Sequence, residues 1–587
     1  MQINNLKVHL RNYFINTHIS TNTGDKIKYL SPKNWKAIAN ALTFKEKIIV
    51  TLLLIVIAVS FVVWLGSIYF NYTKAVPKVG GEYTEGIVGQ PLYINPLLSQ
   101  TSEADGDLVQ LVYSGLFKYD KEGHIANDLA ESYSVSEDKK EYTVSLKKGA
   151  LWHDGKEINA EDVFFTFSIL QDPSYKSPLR QSLLGVDIRL VDDYTIVFSL
   201  SNPYTGFLDN LTVGLLPKHI WENIAPEKFA LAENNLNPIG SGPYVFSTLQ
   251  KDSGGNILTL QLAAFKNYYD GSPYISKITF NFYPDDETLI AAYNKKEIMG
   301  MGSIPPENIK NIKNEKSTNI NELIIPRYFS VFFNQTKNVA LANDVVRDAL
   351  SKSVNRQEII DTILHGKGMV LTSPIFAQME GYSNVDSQAN IEQAIKLLEE
   401  AGWVMDENEK VRMKDSVKLE FELVTTDWPE LNQTAELLKN QWEKVGAKVN
   451  IKVLAVSDLQ QNYIRTREYD SLLFGQAISF NPDLYSFWHS SQKRDPGLNL
   501  SLFDNSEVDG LLESLRQETD ENKRAEAYQK FQGVLSTENP AVFLYSRYYL
   551  YPTNKNVKGM EVKDINNPAQ RFVDINKWFV KTKRVLK

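Results

Sequence analysis

The longest apolar run of the chain predicts a membrane-spanning helix. Ile48 to Phe70 reads IIVTLLLIVIAVSFVVWLGSIYF, which is 23 residues without a charge and long enough to cross the hydrocarbon core of a bilayer. A cleaved signal peptide is the alternative, but its apolar core would span roughly 7 to 15 residues and precede a small-residue cleavage site. The run therefore favours a retained helix at 48–70.

The charges on either side of this run predict its orientation. Residues 1–47 carry eight basic side chains against two acidic ones, and a positive flank is retained on the cytoplasmic side. We expect 1–47 to be a cytoplasmic tail, 71–79 to be a short polar linker, and the large C-terminal part to be extracytoplasmic. The protein would then be a single-pass protein of the cytoplasmic membrane with its N-terminus inside.

The pattern beyond the linker predicts a mixed α/β protein. Tyr142 to Leu146 and Tyr194 to Leu200 alternate apolar and polar residues, as half-buried strands do. Asn159 and Asn355 each precede a helical apolar stripe and are predicted helix caps.

A strand-helix-strand unit is predicted between Val417 and Leu454. Pro429 would begin its helix and Gly446 would end it. Such a unit forms a right-handed crossover between parallel strands, and ligands bind at the carboxyl ends of those strands. Trp428 lies at such an end and is a candidate ligand contact, with packing in the core as the alternative.

Composition excludes several classes of protein. The 587 residues predict more than one domain. A net charge of -8 gives no general attraction for nucleic acid. The absence of cysteine excludes disulfides, thiol nucleophiles and a lipid on cysteine, so any membrane attachment must come from the chain itself.

No catalytic or metal-binding motif is recognisable in the sequence. None of the seven histidines forms an HExxH motif, no P-loop lysine follows a glycine-rich stretch, and Gly240 to Gly242 lacks the spacing of a nucleophile elbow. His153 and Asp154 precede Gly155 at a predicted turn, which explains the pair conformationally. We therefore predict a protein that is not an enzyme and has no cofactor or metal.

An ordered series of motifs resembles a known family. The most specific segment, LVYSGLFKYDKEGHIANDLAESYSVSEDKKEYTVSLKKGALWHDGKEINAEDVFFTF, covers residues 111–167. The others are GGEYTEGIVGQPLYINPLLS (80–99), GSGPYVF (240–246), VVRDALSKSVNRQEIIDTILHGKG (345–368), AIKLLEEAGW (394–403) and NSEVDGLLESLRQETDENKRAEAYQKFQ (505–532). From Gly80 to about Phe579 the chain is similar to the family 5 extracellular solute-binding proteins of ABC importers, the oligopeptide, dipeptide and nickel-binding type.

The resemblance implies an α/β fold of the type II periplasmic-binding-protein kind, with two lobes, an extra inserted domain and one preceding transmembrane helix. The expected domains are 80–120, 238–323 and 545–587 for lobe I, 121–237 for the inserted domain, and 324–544 for lobe II. Hinged lobes of this kind close on a ligand held between them.

The resemblance also implies a function. A membrane-anchored receptor would capture a peptide or similar polar solute and deliver it to ABC transporter permease subunits. A sensor or scaffold whose tail contacts a cytoplasmic partner is the alternative, although no signalling domain is recognisable in 1–47. An extracellular hydrolase has no supporting constellation of residues.

Peptide-binding members commonly carry a Trp and, three residues later, an Asp that pairs with the ligand's free amine through a charge-assisted bond. Here the segment reads GQAISFNPD from Gly475. The resemblance places Gln476 at the position of the Trp, Ser479 at that of the Asp, and Asn481 before the proline. The amine clamp is therefore expected to be changed.

Two further candidate ligand contacts follow from placement. Arg327 and Tyr328 stand where the chain is expected to enter lobe II, although a surface ion pair is an equal explanation for Arg327. Asp483, one residue beyond the proline, is a weaker candidate for the cleft.

Overall fold

A computed structural model describes residues 42–313, 315–384 and 388–587. Most of the predicted cytoplasmic tail, up to residue 41, lies outside the described residues. The chain divides into two units, one comprising the part up to Val76 with Lys583–Lys587 and the other comprising Pro77–Thr582.

The α-helices of four or more residues in the described part are α1 (Phe44–Tyr72), α2 (Glu103–Val112), α3 (Ala160–Gln171), α4 (Phe207–Asn210), α5 (Lys218–Trp221), α6 (Pro226–Phe229), α7 (Asp286–Asn294), α8 (Val339–Ala342), α9 (Asp344–Lys352), α10 (Arg356–Thr362), α11 (Ile391–Glu400), α12 (Pro429–Glu443), α13 (Tyr485–Trp488), α14 (Ser506–Gln517) and α15 (Glu521–Glu538).

The strands are β1 (Thr73–Pro77), β2 (Glu82–Val88), β3 (Phe117–Tyr119), β4 (Ile125–Asn127), β5 (Ala130–Val135), β6 (Glu141–Leu146), β7 (Val186–Asp192), β8 (Thr195–Leu200), β9 (Tyr244–Lys251), β10 (Ile257–Ala264), β11 (Lys277–Tyr283), β12 (Gly300–Met301), β13 (Thr318–Leu323), β14 (Arg327–Phe333), β15 (Gly368–Val370), β16 (Val404–Asp406), β17 (Val411–Lys414), β18 (Val417–Lys418), β19 (Glu420–Thr426), β20 (Lys448–Leu454), β21 (Ser471–Ala477), β22 (Ala541–Arg547), β23 (Tyr549–Asn554) and β24 (Thr582–Leu586).

The first unit is built on the apolar helix α1. This helix has 29 residues, a mean hydropathy of 3.1 in its most apolar stretch, and none of that stretch is buried. Thr43 and Glu46 form a capping box at its start, which extends the helix beyond the predicted 48–70. The predicted linker 71–79 is only partly a linker, because β1 pairs with β24 in a two-stranded sheet.

The second unit contains two large sheets. One has seven strands in the order β13-β23-β12-β2-β11-β10-β9, and the other has six in the order β15-β22-β14-β21-β19-β20. A separate four-stranded sheet, β5-β6-β8-β7, is formed by residues 130–200. The predicted strands near Tyr142 and Tyr194 are its β6 and β8. We refer to the halves built on the seven- and six-stranded sheets as lobe I and lobe II.

The main chain passes between the two large sheets twice within the described residues. One crossing joins β13 to β14, and the other joins β22 to β23. Ser546 Oγ donates a hydrogen bond to the carbonyl oxygen of Ile325 at 3.3 Å, so the two crossings lie side by side. Two adjacent crossings of this kind form a hinge between two lobes.

The strand-helix-strand unit of lobe II is present, with one difference at its start. β19 and β20 are parallel, with Leu423 opposite Ile451, and α12 connects them. Val417 was expected to belong to the first strand, but Val417 and Lys418 pair with β17 in a three-stranded sheet. The apolar alternation is continuous there, so the sequence pattern does not show where one sheet ends and the next begins.

A fully buried ionic cluster joins distant parts of lobe I. The Arg571 guanidinium donates to both oxygens of Asp107 at 2.6 and 2.5 Å and to Glu85 Oε1 at 3.2 Å. The Tyr551 hydroxyl donates to Glu85 Oε2 at 3.0 Å, and the Tyr83 hydroxyl donates to the same oxygen. The side chains of Arg571, Glu85 and Asp107 are at most 1% exposed.

One guanidinium faces two carboxylates in this cluster. If both were ionised, a negative charge would remain in a site without water. Burial is the largest influence, and it raises the pKa of Glu85 to about 7 and that of Asp107 to about 6, although Arg571 opposes both shifts.

We expect Glu85→Gln to flatten the pH dependence of stability. The pKa of Glu85 is raised on folding, from 4.5 to about 7. The protonated Glu85 therefore contributes fully to the free energy of unfolding below pH 4.5, and this contribution is lost as the pH rises to about 7. Between these two pH values, Glu85 lowers the free energy of unfolding by about 1.4 kcal/mol for each pH unit. Urea unfolding of the wild type, Glu85→Gln and the exposed control Glu131→Gln between pH 5 and 8 measures it. Equal slopes in all three proteins would contradict the prediction.

Candidate solute-binding cleft

A cavity of about 330 Å³ lies between lobe II and the segments that flank the four-stranded sheet. One wall is formed by Tyr119, Glu122, Gly123, His124, Ile125, Thr205, Leu208 and Asp209, and the other by Gln378, Glu380, Phe480, Asn481, Pro482, Arg524 and Tyr528. Its volume is in the range of small-molecule sites, about 300 to 1,000 Å³. More open grooves of about 780 and 550 Å³ border Tyr204 at the same interface.

A chain of polar contacts crosses this cavity. The Tyr119 hydroxyl donates to Asp209 Oδ1 at 2.5 Å, and Asn481 Nδ2 donates to Asp209 Oδ2 at 3.1 Å. Arg524 Nη2 donates to Asn481 Oδ1 at 3.0 Å, and Arg524 Nε donates to Glu380 at 2.9 Å. Asn481 therefore joins the two walls through hydrogen bonds to a residue of each.

The two cavity walls joined by these polar contacts differ in how their charges are paired. Arg524 is paired with Glu380, whereas Asp209 accepts only from neutral donors and forms no ion pair with any described residue. Burial raises the pKa of Asp209, and the two hydrogen bonds partly offset that rise. A cationic group entering the cavity would stabilise the ionised form of Asp209.

Two predicted site residues lie in the core of lobe II and do not line the cavity described above. Tyr328 and Gln476 are opposite each other on β14 and β21, with exposed fractions of 0% and 6%. The Tyr328 hydroxyl donates to Gln476 Oε1 at 2.5 Å, and Gln476 Nε2 donates to the carbonyl of Leu498 at 2.9 Å. Both faces of this central pair of strands are covered, so neither side chain reaches the cavity.

The other residues of the GQAISFNPD segment have separate roles. Ser479 Oγ donates to the carbonyl oxygen of Asn481 at 2.8 Å, which places it in the turn and not on the cavity wall. Asn481 does line the cavity. Asp483 forms a two-bond ion pair with Arg516, at 3.0 and 2.5 Å, so its carboxylate is already neutralised.

Arg327 and Trp428 stand near the hinge and not at the 330 Å³ cavity. The half-buried Arg327 guanidinium makes no hydrogen bond or ion pair with a described residue, so the surface ion pair considered for it is absent there. Burial and then the neighbouring Arg547 lower the pKa of Arg327. Trp428 is 46% exposed and precedes the first turn of α12, where Glu430 accepts from Arg547 at 3.1 Å.

The sequence pattern did not indicate the residues that carry the polar chain. Asp209 lies on the four-residue helix α4, where no periodic pattern marks it. Arg524 is inside the motif at 505–532, but nothing in that motif distinguishes it from the other charged residues. Only the folded arrangement brings Tyr119, Asp209 and Arg524 to one cavity.

Two lobes joined by a two-strand hinge, with a polar cavity between lobe II and the segments beside the four-stranded sheet, define a two-lobed α/β binding protein. The model of the bacterial extracellular solute-binding proteins, family 5, matches residues 124–497. The chain belongs to this family of ABC importer solute-binding proteins. This confirms the resemblance and the fold class stated from the sequence.

Curated relatives cover most of the chain. It is 28% identical over 521 residues to the oligopeptide-binding protein AppA of Bacillus subtilis (strain 168), a match that spans 86% of this chain and 92% of AppA. It is 29% identical over 507 residues to the dipeptide-binding protein of Escherichia coli (strain K12), spanning 81% of this chain and 91% of that protein.

Solved structures agree with this assignment. Bacillus subtilis AppA in complex with a nonapeptide has a TM-score of 0.66 at 27% identity, covering 86% of this chain and 100% of that one. The ABC transporter substrate-binding protein CtaP from Listeria monocytogenes has a TM-score of 0.74 at 26% identity, with the same coverage.

Proposed function

We propose that this protein is a membrane-anchored extracytoplasmic receptor that captures a peptide or similar polar solute between its lobes and delivers it to ABC transporter permease subunits. The observation that carries the proposal is the polar cavity between lobe II and the segments beside the four-stranded sheet, where the half-buried Asp209 forms no ion pair with a described residue. The similarity to proteins named for oligopeptide and dipeptide binding supports a peptide as the solute. Members of the family bind solutes, so we infer no chemistry on the ligand.

Asp209 gives the cavity a preference for one chemical group. The resemblance puts Ser479 at the family's Asp position, and its hydroxyl donates to the Asn481 carbonyl. Glu122, Asp209 and Glu380 line the cavity; Glu122 and Glu380 are paired with Lys121 and Arg524, whereas Tyr119 and Asn481 hold the two oxygens of Asp209 in place. A protonated amine in the cavity would form a charge-assisted hydrogen bond there. We therefore assign the ligand's ammonium group to Asp209.

Native mass spectrometry of the full chain, purified in detergent without denaturation, tests the function directly. We expect a mixture of short peptides, or one polar solute that carries an amine, to be released and identified by fragmentation. A protein that carries no solute and captures nothing from a peptide library would contradict the proposal.

Replacing Asp209 tests the ammonium site. We expect Asp209→Asn to weaken binding of a free-amine peptide by about tenfold or more, because a charge-assisted hydrogen bond contributes roughly 1.5 to 3 kcal/mol. Titration calorimetry compares it with Asp187→Asn, an exposed aspartate on β7 that serves as the matched control. An N-acetylated form of the same peptide should be affected much less. Unchanged affinity of Asp209→Asn for the free-amine peptide would place the ammonium elsewhere.

The anchor is proposed from α1. Its apolar side chains are exposed along the helix, and the positive flank of 1–47 supports a cytoplasmic N-terminus. A cleaved signal sequence near the N-terminus is the alternative, although its apolar core would be shorter than that of α1. The cytoplasmic membrane and the permease subunits are the proposed partners.

The intact mass of the mature chain distinguishes a retained anchor from a cleaved one. We expect the mass to include residues 1–72, and the protein to stay with membranes after an alkaline carbonate wash. A variant that lacks 1–79 and is exported through a cleavable signal should be released. A wild-type mass that begins after Tyr72 would overturn the anchor and leave the binding function untouched.

A further inference from the structure

We propose that the short strand pair at the end of α1 binds the headgroups of anionic phospholipids. This pair, residues 73–76 and 583–587, is called the basic ribbon. The proposal rests on the proposed anchor, because it requires α1 to lie in a bilayer.

The ribbon is fixed to the end of α1 by Arg584. Its Nη2 donates to the carbonyl oxygens of Phe70 at 3.2 Å and Thr73 at 2.7 Å, and its Nε donates to Thr73 Oγ1 at 2.7 Å. The last carbonyls of a helix have no partner within it and carry partial negative charge. The Lys587 backbone N–H also donates to the Tyr72 carbonyl at 3.0 Å. The ribbon therefore continues directly from the end of the helix.

The ionisable side chains of the ribbon are all basic. Lys74, Lys583, Arg584 and Lys587 lie within it, and neither segment contains Asp or Glu. The three lysines are exposed and form no ion pair with any described residue. The whole chain has a net charge of -8, so this concentration of basic residues departs from the average of the molecule.

The position of the ribbon matches the depth of lipid headgroups. Tyr69, Phe70 and Tyr72 are 52%, 60% and 68% exposed at the end of α1, and aromatic residues concentrate at the interface of a membrane. The Arg584 guanidinium lies 4.5 Å from the centre of the Phe70 ring. The exposed lysines begin where the apolar surface ends, which is where an anionic surface attracts basic side chains.

Lipid retention by the full chain tests the proposal. The protein is purified in detergent without its permease and mixed with equal amounts of phosphatidylglycerol and phosphatidylcholine, and the bound lipids are counted by native mass spectrometry. We expect the wild type to retain phosphatidylglycerol over phosphatidylcholine by about tenfold, with a preference that falls as salt is added. A variant with Lys74→Gln, Lys583→Gln and Lys587→Gln should lose that preference.

The control variant carries Lys251→Gln, Lys266→Gln and Lys530→Gln, three exposed lysines that form no ion pair within the described part of the chain. It should keep the preference of the wild type. Equal retention of both lipids by the wild type, or a preference that survives in the ribbon variant, would overturn the proposal. A chain that fails the carbonate wash refutes the anchor itself, whereas an embedded chain without lipid preference refutes only the ribbon's role.

Discussion

The burial of Arg571 is the constraint on which lobe I depends. A guanidinium without water is tolerated only if its partners are complete, and removing one partner of a buried pair costs roughly 3 to 5 kcal/mol. Glu85 comes from the first strand of the lobe, Asp107 from α2, and Tyr551 from the strand that returns after the second hinge crossing. The cluster therefore joins residues that precede lobe II in the sequence to residues that follow it. Lobe I is one structural unit, although it is assembled from residues on both sides of lobe II in the sequence.

The same return of the chain creates the hinge and the cleft. Because the large sheets are connected only at two adjacent crossings in the described part of the chain, the lobes can change their angle without disturbing either sheet. The two walls of the cavity are also joined, because Asn481 forms hydrogen bonds with Asp209 on one side and Arg524 on the other. A solute bound to Asp209 would therefore contact the same carboxylate that Asn481 binds from the opposite wall.

Local features of the structure were predictable from the sequence, and long-range ones were not. The apolar run, the caps at Asn159 and Asn355 and the crossover around α12 depend on neighbouring residues, so the pattern predicted them. The motif series predicted the family and, through it, the two lobes. The burial of Tyr328 and Gln476 was not predictable, because neither a motif position nor a place at the entry to a lobe reveals that a central strand is covered on both faces. Asp209 was missed because its contact with Asn481 joins residues that are 272 positions apart.

The pairing of β1 with β24 also decides what can be attached to this protein. The backbone of Lys587 is bound to the carbonyl of Tyr72, so any polypeptide fused after Lys587 emerges beside the end of α1. If α1 is embedded as proposed, an affinity tag or fluorescent protein placed there would be crowded by detergent or lipid at that helix. A fusion partner for imaging or purification is better inserted at an exposed turn such as Gly254-Gly255, where the backbone between β9 and β10 reverses direction.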